Sequence, residues 1–200
     1  MILRSAPPSP YGRKVKIAAA ILQLSDRIKI VAADTNADEE LKIQNPLGKI
    51  PTLVLDDGHT LFDSRVILEY LDHLAGGGRI LPREPQMRFA ALRLQALCDG
   101  ILDASILRVY EARYRPKEVH HQPWLDMQAG KVTRALAALE ADTPPLDATP
   151  NVGQITLACA LGYQDLRFNG EWRNTYPKLV AWLDRFAAQV PAYAATKVTP

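Results

Sequence analysis

The sequence predicts two unlike halves: a small α/β unit with a mixed sheet, followed by an all-helical unit. Three observations carry this. Up to residue 75 short strand-like runs alternate with helical ones, a single glycine- and proline-rich break follows at residues 76–85, and every apolar stripe beyond it has helical spacing. With 200 residues the chain can bury a sizeable core, as one large domain or two small ones.

In order, Met1 to Arg4 and Ile28 to Val31 are strand candidates, and between them Val15, Ala18, Ala19 and Leu22 fall on one helical face. Thr52–Leu55 and Thr60–Phe62 flank Asp56-Asp57-Gly58-His59, a strong hairpin signal, and Ile67, Tyr70, Leu71 and Leu74 return to helical spacing. The order β-α-β-(α)-β-β-α defines a first unit over residues 1–75, with a linker at 76–85 and a helical unit over 86–200. In the latter, Leu94, Cys98, Ile101 and Leu102 form one stripe, and Val132, Leu136 and Leu139 a second. Ile155, Ala158, Cys159, Gly162 and Leu166 form a third, and Leu179, Trp182, Leu183 and Phe186 a fourth. Asn151 with Gln154 three residues on reads as a helix-opening capping box, a folding element without chemistry.

Composition narrows the function classes. Lys and Arg number 24 against 22 Asp and Glu, a net charge of +2 that is too balanced for a nucleic-acid surface. Short basic runs such as Arg13-Lys14 and Arg113-Tyr114-Arg115 read as solvated helix faces. No N-terminal stretch has signal-peptide character and no run approaches a membrane span, so a cytoplasmic protein is expected. Cys98 and Cys159 sit on apolar stripes without zinc spacing, and no cysteine occurs in the first 97 residues, which argues against thiol-disulfide chemistry there. His59 lies in the hairpin turn, His73 on a helix, and the adjacent His120 and His121 would point about 100° apart on a helix, so no metal is expected. Gly76 to Gly78 follow a helix rather than a strand and do not read as a phosphate loop.

The most specific motif is Asn45-Pro46-Leu47-Gly48-Lys49-Ile50-Pro51-Thr52-Leu53, followed by Phe62-Asp63-Ser64. Pro51 has no N–H and biases Ile50 to extended geometry, leaving the Ile50 backbone free to pair with an extended ligand by strand addition. A cis Ile50–Pro51 bond would fix that edge more firmly. Asp63 and Ser64 open a helix, where N–H groups suit a carboxylate. Ser9-Pro10-Tyr11 opens an earlier helix, with Ser9 suited to the N-cap and Pro10 to the first helical position; Ser9 could be a cap and nothing more.

This arrangement resembles the glutathione site of the glutathione transferase family, and the likeness runs on through residues 65–71 and, more loosely, along nearly all of the chain. The resemblance implies a thioredoxin-like first domain packed on the helical one. It implies that Ile50, before Pro51, pairs with the cysteinyl backbone of glutathione, and that Asp63 and Ser64 hold the γ-glutamyl end. Lys49 is placed to meet the glycyl carboxylate, or is a solvated turn lysine. Ser9 stands where many members carry a catalytic Ser or Cys, whose hydroxyl donates to the glutathione sulfur beside a helix N-terminus. Lowering a thiol pKa of about 8.5 by about two units takes about 2.7 kcal/mol, within reach of one charge-assisted hydrogen bond and a helix terminus. Ser5 and Tyr11 compete with Ser9 for that role. The second-substrate pocket is expected between the domains at Tyr11, Tyr110, Arg113 and Tyr114. Asp99 is either a group that reaches a partner subunit's glutathione or a solvated surface charge. The main expectation is a homodimeric glutathione S-transferase that uses glutathione as co-substrate against a small electrophile in detoxification. The alternative is a regulatory relative like the stringent-starvation proteins, which associate with RNA polymerase; a glutathione-dependent lyase, dehalogenase or isomerase is a third possibility.

Overall fold

The computed structural model describes residues 1–198; Thr199 and Pro200, the end of the span assigned to the helical unit, lie outside the described residues. The first half runs β1 (Ile2–Ser5), α1 (Pro10–Ile21), β2 (Lys29–Ala32), α2 (Glu39–Gln44), β3 (Thr52–Val54), β4 (Thr60–Leu61) and α3 (Ser64–Leu74). The sheet order is β2-β1-β3-β4, with β1 parallel to β2 and the other pairs antiparallel. It is the mixed four-stranded sheet that the sequence predicts. The hairpin turn between β3 and β4 closes with a Leu55 N–H to His59 C=O bond of 2.8 Å, and Gly58 there takes φ +87°, a region open to glycine. Val15, Ile17 and Ala18 of α1, its C-cap Leu22, and Ile67, Leu68 and Leu71 of α3 are buried with Leu3 and Leu53 of the sheet.

The linker is tied down rather than slack. Asp72, near the end of α3, is buried and accepts the backbone N–H groups of Gly78 (2.7 Å), Arg79 (2.9 Å) and Ile80 (2.8 Å). The Ile80 carbonyl in turn accepts from Val152 N–H at 2.8 Å, which hooks the linker onto the helical half.

That half contains α4 (Pro85–Tyr114), α5 (Gln122–Ala141), α6 (Val152–Arg167), α7 (Pro177–Gln189) and α8 (Pro191–Ala195). All four apolar stripes read from the sequence fall on these helices, and α6 is buried at every residue from Val152 to Gln164. Its capping box forms as expected: Asn151 Oδ1 accepts from Gly153 and Gln154 N–H, and Gln154 Oε1 accepts from Asn151 N–H at 2.9 Å. Helix α6 also lies close against α4, where a Cβ on Gly153 would stand 2.7 Å from the Ala91 carbonyl oxygen. Both cysteines are in the core, and burial pushes their thiols up, that of Cys159 to about 11. Among the described residues no helix is long and apolar enough to cross a membrane.

One sequence reading is overturned. The run Arg13-Lys14 is not a solvated face: Arg13 is 8% exposed and Lys14 is fully buried. Both side chains point into packed surroundings because α1 packs against α6 and α8 and is bonded to α4 through Lys14 and Asp99. The other run, Arg113-Tyr114-Arg115, is exposed.

Candidate functional site

Strand register gathers the candidate residues at one end of the sheet. Arg4 pairs with Thr52, so the chain leaving β1 towards Ser9 runs beside the chain entering β3 from Ile50 and Pro51. Leu53 pairs with Leu61, so the chain leaving β4 towards Asp63 and Ser64 runs beside that same entry. Because β1, β3 and β4 are neighbours in that order, Ser9, Ile50 and Asp63 stand on three adjacent segments.

Ser9 is the N-cap of α1, with its Oγ accepting from Gly12 N–H at 3.1 Å and Pro10 at the first helical position. That bond uses a lone pair on oxygen and leaves the hydroxyl proton free to donate, so capping and donation to a ligand are compatible. Ser5 is 1% exposed, and its Oγ has no partner among the described residues. The Tyr11 hydroxyl is engaged: it donates to Asp103 of α4, and burial together with that hydrogen bond raises its pKa.

The turn before β3 is braced by Asn45, a residue whose role the sequence reading missed. Its Nδ2 donates to the Lys49 carbonyl (3.0 Å) and to Thr52 Oγ1 (3.2 Å), while its Oδ1 accepts from Leu47 N–H at 3.1 Å. An Asn followed by Pro-x-Gly is a local signal for such a turn. With the turn held this way, the Ile50–Pro51 peptide is cis, and neither the N–H nor the C=O of Ile50 has a partner among the described residues. Pro51 is buried, whereas the Lys49 side chain is exposed.

Asp63 caps α3 by accepting Arg65 N–H at 2.9 Å, and it forms a side-chain pair with the Arg65 guanidinium at 2.8 Å. The Phe62–Asp63 peptide is cis as well. Partial burial pushes the Asp63 carboxyl up, but the Arg65 hydrogen bonds and charge outweigh it and hold the carboxyl below its usual range. Ser64, next in the chain, is 3% exposed.

Helix α4 closes this end of the molecule through two polar clamps onto α1. Lys14 Nζ donates to Asp99 Oδ1 at 2.6 Å in the interior, and Tyr11 binds Asp103 one turn further along. Asp99 is 8% exposed, so it is not a solvated surface charge; burial raises its pKa and Lys14 opposes that rise. Of the other residues expected at a second-substrate pocket, Tyr110 and Tyr114 meet edge to face at 5.2 Å near the end of α4, with the Arg113 guanidinium over Tyr110 at 5.8 Å. The Tyr114 hydroxyl reaches Asn36 in the β2–α2 connection at 3.3 Å. These three stand more than one helical turn beyond Asp103, the partner of Tyr11, and two of them line a hollow of about 560 Å³ with Trp124 of α5. Among the described residues no cluster of His, Cys, Asp or Glu is placed to hold a metal.

Comparison with known proteins places this geometry in a family. The family description "Glutathione S-transferase, N-terminal domain" matches residues 8–74, and "Glutathione S-transferase, C-terminal domain" matches residues 122–185. The chain is 34% identical over 163 residues to the uncharacterized GST-like protein YibF of Escherichia coli K12, covering 80% of this chain and 79% of that one. A glutathione transferase family member from Pseudomonas fluorescens Pf-5, solved with bound glutathione, superimposes with a TM-score of 0.91 at 41% identity, over 100% of this chain and 98% of that one. The same bacterium's transferase has also been solved with bound S-(propanoic acid)-glutathione, at a TM-score of 0.86 and full coverage of both chains. A glutathione S-transferase from Methylobacterium radiotolerans in complex with glutathione sulfonate gives 0.89 at 32% identity, over 100% and 95% of the two chains. With both domain descriptions matched and relatives above 30% identity covered over 79% and 98% of their lengths, the chain belongs to the glutathione S-transferase family.

Proposed function

We propose that the protein is a homodimeric cytoplasmic glutathione S-transferase that binds glutathione at the sheet end described above and presents its thiolate to a small electrophile. Ile50 would pair through its backbone with the cysteinyl residue of glutathione. Asp63 and Ser64, at the start of α3, would take the γ-glutamyl end, and Lys49 the glycyl carboxylate. Ser9 would donate its free proton to the sulfur, with the N-terminus of α1 adding positive potential. The nucleophile belongs to glutathione, and the protein supplies orientation and charge stabilisation. Tyr11, with Tyr110, Arg113 and Tyr114 further along α4, would line one side of the electrophile's approach.

One observation carries this reading: the unpartnered backbone of Ile50 lies beside a capped helix start whose serine keeps a proton to donate. The engaged hydroxyl of Tyr11 and the buried one of Ser5 favour Ser9 over both competitors. The glutathione-bound relatives support the ligand, and the Pseudomonas fluorescens complex with S-(propanoic acid)-glutathione supports room for a substituent on sulfur.

The test is calorimetric titration of glutathione into wild type, Ser9→Ala and Ser9→Gly, with thiolate absorbance followed against pH. A hydrogen bond to a charged group is worth about 1.5–3 kcal/mol, so either variant should raise the pKa of the bound thiol by about 1–2 units. An unchanged thiol pKa in both variants would reduce Ser9 to a helix cap. Absence of glutathione binding to wild type would end the transferase reading.

A further inference from the structure

Arg13 and Lys14 are adjacent, buried and cationic, but only Lys14 has a carboxylate. Among the described residues Arg13 forms no ion pair: its Nη2 donates to the Tyr193 carbonyl (2.6 Å), its Nε to Thr196 Oγ1 (3.2 Å), and its guanidinium lies 4.1 Å from the centre of the Tyr193 ring. All of these partners are neutral. Arg13 as a whole is 8% exposed; a buried guanidinium without a counter-ion is costly, and such a charge marks a place where an anion is stabilised.

The guanidinium also stands in the wall of a cavity of about 180 Å³, bounded by the Pro7–Pro10 turn, by α6 around Gly162 and by the chain after α8. Gly162 leaves the space that the polar atoms occupy: a Cβ there would stand 2.5 Å from Arg13 Nη1 and 2.8 Å from the Tyr193 hydroxyl. Two donors of the cavity lining therefore lie side by side against Gly162. Nη1 itself makes no hydrogen bond among the described residues and keeps some accessible surface. The other charged residues of the wall are Lys197, which is exposed, and Asp165, which is neutralised by Arg173 at 2.7 Å. The balance is positive.

Ser9 belongs to the same wall, and Arg13 lies one turn further along α1, with its N–H bonded to the Ser9 carbonyl at 3.0 Å. Four residues of helix rise about 6 Å, the span of a sulfur substituent two or three carbons long ending in an acid. We propose that this cavity is an anion site for the carboxylate of the second substrate, so that the electrophiles preferred are those carrying an acid group two or three carbons from the reacting centre. Arg13 and the Tyr193 hydroxyl are the receptors. The inference rests on glutathione binding as read above.

The test compares glutathione, S-(2-carboxyethyl)glutathione and its uncharged counterpart S-propylglutathione by calorimetric titration into wild type, Arg13→Gln and Tyr193→Phe. Wild type should bind the acid conjugate about tenfold or more tightly than the propyl one. Arg13→Gln should abolish that preference, read as the ratio of the two conjugate affinities within the same variant, so that any change common to all three ligands cancels. Tyr193→Phe keeps the ring on which Arg13 and Phe186 pack, so it remains informative if Arg13→Gln fails to fold; it should reduce the preference about threefold. Glutathione binding with equal affinity for the two conjugates, or a preference that survives in both variants, would overturn the anion site alone. Failure of all three ligands to bind wild type would overturn it together with the transferase reading.

Discussion

Lys14→Met should be among the most destabilising single changes in the molecule, and its cost should fade on acidification. Lys14 is fully buried, and its ammonium lies 2.6 Å from Asp99 Oδ1. The other oxygen, Oδ2, is buried without a partner among the described residues, so Lys14 is the main support of that charge. Methionine keeps most of the apolar stem and removes only the cation. Removing one side of a buried ion pair costs about 3–5 kcal/mol, because the remaining charge is left uncompensated. For a chain of this length each kcal/mol moves Tm by about 2–4 °C, which gives a drop of about 6–20 °C. The double variant Lys14→Met/Asp99→Leu should recover most of it, since an apolar pair of similar volume is often neutral. The sign with pH follows from Asp99. Burial already raises its carboxyl, Lys14 opposes that, and the variant lets it rise further. A carboxyl raised in the folded state is penalised only when ionised. The deficit is therefore absent below the unfolded value of about 3.9, grows as pH climbs towards the raised folded value, and is complete above it. Urea denaturation of wild type, both single variants and the double at pH 7 and at pH 5 measures this. A loss under about 1 kcal/mol at pH 7, or a double variant no more stable than Lys14→Met, would refute the reasoning.

Two further predictions concern the packing that holds the site. Asp72→Asn replaces a carboxylate that accepts three linker N–H groups with an amide that has one acceptor oxygen; it should cost about 2–4 kcal/mol and open the linker at residues 76–79 to limited proteolysis, and wild-type resistance would refute this. Gly153→Ala drives a methyl to within 2.7 Å of the Ala91 carbonyl and 2.8 Å of Leu94 Cβ, at a cost of about 1–3 kcal/mol; an unchanged urea midpoint would show that α4 and α6 can separate freely.

What could be read from the sequence was what is encoded locally. The four strands fall within a residue or two of their expected spans because short β-branched and apolar runs were bounded by turn residues, and the β3–β4 turn carried its own glycine signal. The stripes on α4, α5, α6 and α7 were legible because apolar side chains recur at helical spacing. The six-residue α2 was expected only weakly, since it buries little besides Leu41 and leaves Ile43 84% exposed. Helix α6 showed one stripe in the sequence but is buried all round; its polar residues are satisfied inside the molecule, as where Gln164 donates to Ser105 Oγ at 2.7 Å. At the candidate site, the helix starts at Ser9 and at Asp63-Ser64 and the turn at Pro51 were legible because caps and Xaa-Pro turns are local devices. Arg65 and Asp103 were not, because their roles depend on partners brought close only by the fold.

The misreading of Arg13-Lys14 shows why the remainder was hidden. A basic pair near the start of a helix is solvated unless something distant receives it, and the receivers here lie 85 residues away on α4 and 180 or more residues away in and just after α8. Once present, they constrain α1 in a way that apolar packing cannot. Apolar side chains tolerate a small slide or rotation at modest cost, whereas Tyr11 and Lys14, three residues apart, meet Asp103 and Asp99, four residues apart, at fixed points. A rotation of α1 that broke either clamp would leave a buried carboxylate or ammonium unpaired, a far steeper penalty than the loss of a few methyl contacts. Arg13 adds a third anchor from another side of the helix, onto Tyr193 and Thr196. Ser9 sits at the end of the element that these anchors hold. On the proposed glutathione reading, variants at Lys14 or Asp99 should therefore move the pKa of the bound thiol as well as the denaturation midpoint.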